Sequence, residues 1–137
     1  HRGQIRKTVD GGNSFKTIFS ESISNEDASF VSPYTVSKEN PNLIIAAHET
    51  IWRSTDGGDH WTHPDADTFR FRLKHIVFSP SDPAIVFACD CAQLYKSEDT
   101  GMSWARISVE GMPRGCISNI AINPRDPNHV VVINRRK

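Results

Sequence analysis

Short apolar runs separated by turn residues dominate the chain, and no stretch shows a convincing helical period. Between residues 75 and 107 the pattern can be read strand by strand. His75-Ile76-Val77-Phe78 predicts a first strand. Ser79-Pro80-Ser81-Asp82-Pro83 predicts a turn, since Pro fixes φ and Asp bonds its own backbone there. Ile85-Val86-Phe87-Ala88 and Gln93-Leu94-Tyr95-Lys96 predict the next two strands. Asp99-Thr100-Gly101 turns the chain again, and Trp104-Ala105-Arg106-Ile107 predicts a fourth. A new cycle starts at Ile117-Ser118-Asn119-Ile120-Ala121-Ile122.

The cycle is a repeat. Lys7-Thr8-Val9-Asp10-Gly11-Gly12-Asn13-Ser14-Phe15, Arg53-Ser54-Thr55-Asp56-Gly57-Gly58-Asp59-His60-Trp61 and Lys96-Ser97-Glu98-Asp99-Thr100-Gly101-Met102-Ser103-Trp104 align without gaps. They share basic, Ser/Thr, x, Asp, x, Gly, x, x, aromatic, with their aspartates 46 and then 43 residues apart. A second motif keeps phase with the first: Asn40-Pro41, Asp82-Pro83 and Asp126-Pro127 each precede a β-rich run. A period of ~40–50 residues with four short strands per unit fits the blade of an all-β propeller. The units run over 1–19 (outer strands of a blade), 31–64 and 73–109 (blades) and 116–137 (inner strands of a blade).

The aspartate motif has a physical reading. Asp10, Asp56 and Asp99 can accept turn N–H groups. Gly12, Gly58 and Gly101 supply a backbone conformation that a Cβ disfavours. Phe15, Trp61 and Trp104 then return to the packing layer with large rings. The pattern resembles the Asp-box, or BNR, repeat of sialidase-like β-propellers. Similar repeats occur in sialidases, xyloglucan-hydrolysing glycosidases, sortilin-type receptors and a photosystem II assembly factor. The resemblance covers nearly the whole chain and specifies fold far better than function.

The chain of 137 residues holds about three blades, whereas propellers close with ~4–8. It starts at His1 and its last residues, Val130 to Lys137, read as a strand running off the end. We therefore expect a processed chain or a fragment, with the ring closed by the remainder of a longer chain or by a homo-oligomer.

Composition narrows the functional classes. Sixteen basic and sixteen acidic residues give a net charge of zero, which argues against nucleic acid as a partner. No apolar run approaches the ~18–20 residues of a membrane span. No cofactor fingerprint is present, and no metal site is expected. His60 and His63 flank Trp61 at a spacing that a strand splits between two faces. Arg135-Arg136-Lys137 reads as a solvated continuation. Export from the cytoplasm is the expected localisation, since Asp-box propellers are frequently secreted.

In sialidase-like propellers the ligand face lies opposite the Asp-box turns. Here that face takes residues 20–30, 47–50, 64–72, 89–92 and 110–115. Its binding candidates are His48, Glu49, Arg70, Arg72, Asp90 and Arg114, with Asp65 and Asp67 beside them. Glycosidases need two carboxyl groups, and Glu49 with Asp90 is the pair to nominate. The sialidase Phe/Tyr-Arg-Ile-Pro signature is absent, and Tyr95 reads as a packing residue. Cys116 begins a first strand on the same face as Cys89 and Cys91, which end a neighbouring second strand, so a disulfide to either is open. The expectation is a non-catalytic scaffold for a protein or glycan. The alternative is part of a sialidase-like or xyloglucanase-like glycoside hydrolase completed by other sequence.

Overall fold

The computed structural model describes residues 3–25, 32–64, 72–108, 110–111 and 115–135. The chain is a β-propeller arc of four consecutive antiparallel sheets. The first pairs β1 (Ile5–Lys7) with β2 (Lys16–Phe19). The single helical turn α1 (Glu21–Ser24) follows, where the sequence predicted loop. One turn is too short to leave a period, and Asn25 closes it at φ 54°. The second sheet orders β3 (Tyr34–Val36), β4 (Ile44–Ala47) and β5 (Ile51–Ser54). Its expected fourth strand is reduced to one bridge between Arg53 and Thr62.

The third sheet has all four strands: β6 (His75–Phe78), β7 (Val86–Cys89), β8 (Leu94–Ser97) and β9 (Ala105–Ile107). The fourth pairs β10 (Cys116–Asn123) with β11 (Asp126–Arg135). Here Asp126-Pro127 lies inside the strand rather than before it, because Asn123 pairs directly with Asp126. Arg135 is likewise a strand residue, opposite Cys116.

Strand alternation builds the core. Successive side chains point to opposite faces, and β4 and β7 are buried at every position. Ile44 and Ala46 join the first sheet's Ile5, Ile18 and Phe19. Ile45 and Ala47 face the other way and meet Ile76, Phe78, Val86 and Ala88 of the third sheet. Phe87 and Cys89 then meet Ile117 and Ile120 of the fourth. Each interior sheet is thus the filling of two apolar seams, and each fully buried Ile or Phe contributes roughly 1.5–3 kcal/mol.

The disulfide forms between Cys91 and Cys116, 25 residues apart. Closing that loop stabilises by about 3–4 kcal/mol in the chain-entropy description, and it ties the fourth sheet to the third. Cys89 is free and buried. Burial pushes its thiol up to about 11, so it is an inert packing group.

Candidate functional site

The three aspartate turns are built by one hydrogen-bond scheme. Oδ1 of Asp10, Asp56 and Asp99 accepts from the amides of Ser14, His60 and Ser103 at 2.8–2.9 Å. The Ser/Thr two residues earlier donates its hydroxyl to the same oxygen at 2.8 Å, through Thr8, Ser54 and Ser97. That hydroxyl in turn accepts from the amide of Gly12, Gly58 or Gly101 at 2.8–2.9 Å. The Ser14 hydroxyl, Ser14 amide and Thr8 hydroxyl lower the Asp10 carboxyl to about 2. The His60 amide, the His60 ring and the Ser54 hydroxyl hold Asp56 well below the usual carboxylate range. Burial pushes Asp99 up, but bonds from Ser103, Ser97 and Met102 outweigh it and bring it to about 2. These carboxylates are committed to the turns.

The basic residue that opens the first two motifs has a role the sequence reading did not assign. It reaches the turn of the next sheet. Lys7 Nζ donates to the Gly57 carbonyl at 3.1 Å. Arg53 donates to the Thr100 carbonyl at 3.0 Å and its hydroxyl at 3.2 Å. Gly57 and Thr100 are equivalent positions with φ of 76° and 59°. Only the recurrence of the basic residue could have signalled this clasp.

Phe15 departs from expectation. It is 58 % exposed, whereas Trp104 is buried and Trp61 packs on the core. Trp61 Nε1 donates to the Ile18 carbonyl of the preceding sheet at 2.6 Å. Among the described residues no sheet lies before the first for Phe15 to meet.

On the opposite face the structure brings some candidates together and withdraws others. Arg72 donates to Glu49 Oε1 at 3.2 Å, linking loops of neighbouring sheets through an exposed ion pair. Arg72 also lines, with Lys74, Cys91 and Ala92, an open depression of about 270 Å³. A second depression of about 430 Å³ is lined by Gln93, Arg106, Ser108 and Glu110. Lys74, Gln93 and Ser108, which adjoin strand ends, and Arg106, which lies within β9, were missed in the sequence because they sit outside the loops.

Two candidates are corrected. Asp90 is fully buried. It accepts from the amides of Ala92 at 2.6 Å and Gln93 at 2.7 Å and from the Tyr95 hydroxyl at 2.9 Å. It closes the β7–β8 hairpin and is not an exposed loop acid, so Glu49 and Asp90 do not form a surface pair. His48 is also fully buried. Its Nε2 faces the Gly3 carbonyl at 3.1 Å, Nδ1 pairs with the Ser24 hydroxyl at 2.7 Å, and the ring packs on Phe19. It fastens α1 and the start of the first sheet to the second. Arg70, Arg114, Asp65 and Asp67 lie outside the described residues. His60 pairs with Asp56 while the His63 ring packs at a tilt on Trp52, so the two serve different neighbours.

The seams, hairpins and turns define a β-propeller arc, and comparison with known proteins places it. A profile of the family described as sortilin, neurotensin receptor 3, matches residues 49–137, and the chain belongs to that family. Among solved structures, an ancestral GH74 enzyme is similar over 88 % of this chain and 18 % of its own, with 21 % identity and TM-score 0.66. The Niastella koreensis GH74 enzyme gives 20 % identity over 87 % of this chain and 20 % of its own, with TM-score 0.66. The GH74 xyloglucanase from Xanthomonas campestris gives 23 % identity over 64 % and 16 %, with TM-score 0.51. This chain therefore spans about a fifth of the length of those structures, and the likeness shows the fold. No curated protein matches it. No helix among the described residues is long and apolar enough to cross a membrane.

Proposed function

We propose that this chain is a non-catalytic β-propeller segment that displays a ligand face for a polypeptide or glycan. The observation that carries the reading is the fate of the nominated acids. Asp90 is spent on its hairpin, and Glu49 is engaged by Arg72. Glycoside hydrolysis uses two carboxyl groups flanking the bond, and this pair does not supply them. What the face offers instead is Arg72 and Lys74 beside Glu49, then Gln93, Arg106, Ser108 and Glu110. Such mixed, open polarity on a rigid scaffold suits binding. The family description, a neurotensin receptor, favours a polypeptide ligand. The Cys91–Cys116 disulfide supports placement in an oxidising, extracytoplasmic compartment.

The GH74 likeness favours the second reading, part of a glycoside hydrolase completed by other sequence. Incubation with xyloglucan, followed by a reducing-end assay, separates them. The expected result is no release above blank, with calorimetric binding of neurotensin or xyloglucan that weakens in Arg72→Ala. Sugar release that disappears in Glu49→Gln would overturn the scaffold reading.

A further inference from the structure

The junction between the second and third sheets and that between the third and fourth can be compared position by position. The Asx-Pro motifs align Asn40-Pro41 with Asp82-Pro83, and Asp82-Pro83 with Asp126-Pro127, at offsets of 42 and 44 residues. The first offset carries Leu43, Ile45 and Ala47 onto Ile85, Phe87 and Cys89. The second carries Leu73 and Ile76 onto Ile117 and Ile120. Leu43, Ile45, Ala47, Leu73 and Ile76 share one buried seam, and their counterparts share the next. The two seams are one packing scheme filled with different side chains.

At the end of each seam, on the face opposite the aspartate turns, the same two positions meet. Between the second and third sheets they are Glu49 and Arg72, an exposed ion pair at 3.2 Å. The offsets carry Glu49 onto Cys91 and Arg72 onto Cys116, and those two form the disulfide. One strap is ionic and the other covalent. The ionic one shows that such a seam docks without a covalent bond at this position. The covalent one is added to a junction with fastenings of its own. Ile117 donates its amide to the Cys91 carbonyl at 3.1 Å, and the Ile120 amide donates to His75 Nδ1 at 3.2 Å.

The bond also lies where a reagent reaches it. Cys91 is exposed and Cys116 half-buried. Cys91 lines the open depression of about 270 Å³ together with Arg72, Lys74 and Ala92. Arg72 and Lys74 are exposed there. Two cations beside a disulfide favour thiolates, both the one that attacks and the one that leaves. Exposed disulfides are the labile ones, whereas structural ones resist reduction.

We propose that Cys91–Cys116 is a thiol-exchange site, a reducible strap whose opening by a dithiol loosens the start of β10 from the β7–β8 hairpin and leaves the seam docked. One thiolate of the dithiol attacks Sγ of Cys91, breaks the S–S bond and expels the Cys116 thiolate. The reagent's second sulfur then attacks its first, closes the reagent's own disulfide and expels the Cys91 thiolate. The two thiol protons of the dithiol end on Cys91 and Cys116. The protein is reduced by two electrons and the dithiol is oxidised by two. Cys89 takes no part, because it is buried in the seam. The second sulfur therefore comes from the reagent, which favours a dithiol over a monothiol. This chemistry is independent of what the face binds, and it frees one wall of the depression.

Reduction of the folded full chain by about 5 mM dithiothreitol near about pH 8, with iodoacetamide trapping and peptide mass analysis, tests this. Cys91 and Cys116 should be alkylated together within roughly an hour, with Cys89 unlabelled. Urea below the unfolding transition should change the rate by less than about twofold, because the native bond is the one attacked. In the reduced chain, amide protection should fall about tenfold at Ile117 and less than about threefold at Ile120. Cys91→Ser with Cys116→Ser should keep the parent's circular dichroism and its protection at Ile120. Glu49→Cys with Arg72→Cys should oxidise to a second strap, since the positions are equivalent. Reduction whose rate climbs with urea as global unfolding does overturns the proposal. So does loss of Ile120 protection in the reduced chain or the serine variant, or a folded Glu49→Cys, Arg72→Cys variant whose new thiols stay unpaired.

Discussion

The first and third aspartate turns have the same hydrogen bonds and different surroundings. In both, the carboxylate accepts from an amide four residues on and from a hydroxyl two residues back. In the third, Gly101 lies against Ile45, Arg53 grips Thr100 and Trp104 is buried. In the first, the glycines are open and Phe15 is exposed. The turn is a local device, complete without a neighbour. Its energetic weight in the fold comes from the sheet it docks on.

Aromatic truncation should break the symmetry most strongly. Trp104→Ala is expected to cost about 3–5 kcal/mol, and Phe15→Ala about 0.5 kcal/mol or less. Urea denaturation of both variants checks the difference. Equal losses would mean that the turns fold alike whatever they touch.

Glycine substitution separates backbone strain from packing. Gly12 and Gly101 both have positive φ, 97° and 84°. A Cβ on Gly101 falls 2.5 Å from Ile45 Cδ1, in addition to its strain. Gly12→Ala should therefore cost about 1–2 kcal/mol and Gly101→Ala about 3–4 kcal/mol. Equal shifts in denaturation midpoint would remove docking from the account.

The basic clasp gives a smaller contrast. Arg53→Ala removes bonds to the Thr100 backbone and hydroxyl and should cost about 1–2 kcal/mol. Lys96→Ala removes a partner of the exposed Glu98 side chain and should cost about 0–0.5 kcal/mol. Thermal melting of the two variants at matched conditions checks this.

Titration should show the least difference, because the carboxylate bonds are local. Asp10 and Asp99 are both lowered from 3.8 to about 2. Depressed carboxylates stabilise the fold above their unfolded value, and that contribution is lost as pH falls from about 4 towards 2. Carboxyl carbon shifts of the two aspartates should therefore titrate together. A midpoint near 4 for Asp10 alone would make its turn dependent on docking after all.

A similar pH effect acts on the last hairpin. His75 Nδ1 accepts from the Ile120 amide at 3.2 Å, joining β6 to β10. Burial lowers its pKa from 6.5. The unfolded chain therefore binds this proton first, and stability should fall as pH drops below about 6.5. The protection factor of the Ile120 amide, its exchange relative to the unfolded rate at the same pH, should fall over that range in the parent and change little in His75→Gln.

Most strands and the aspartate turns were legible because they rest on short-range chemistry. A Pro fixes its own φ, an Asp finds amides a few residues away, and alternation follows from strand geometry. The repeat period carried the rest, since it joins equivalent units without knowledge of contacts. The candidate face was read less well. Its loops were located, and Glu49 with Arg72 proved to be neighbours. His48 and Asp90 looked the same as those two in sequence, as polar residues after apolar strands. Burial distinguishes them, and burial depends on residues such as Gly3, Ser24, Phe19 and Tyr95. The partner of Cys116 was also undecided, because Cys89 and Cys91 differ by two residues on one strand end. The sheet turned Cys89 into the seam and left Cys91 facing its partner. The sequence by itself determined the strands of the third sheet and the three aspartate turns, through interactions within about ten residues. The tertiary structure decided which identical-looking residues are buried and fastened and which stay exposed, since that depends on what a neighbouring sheet covers.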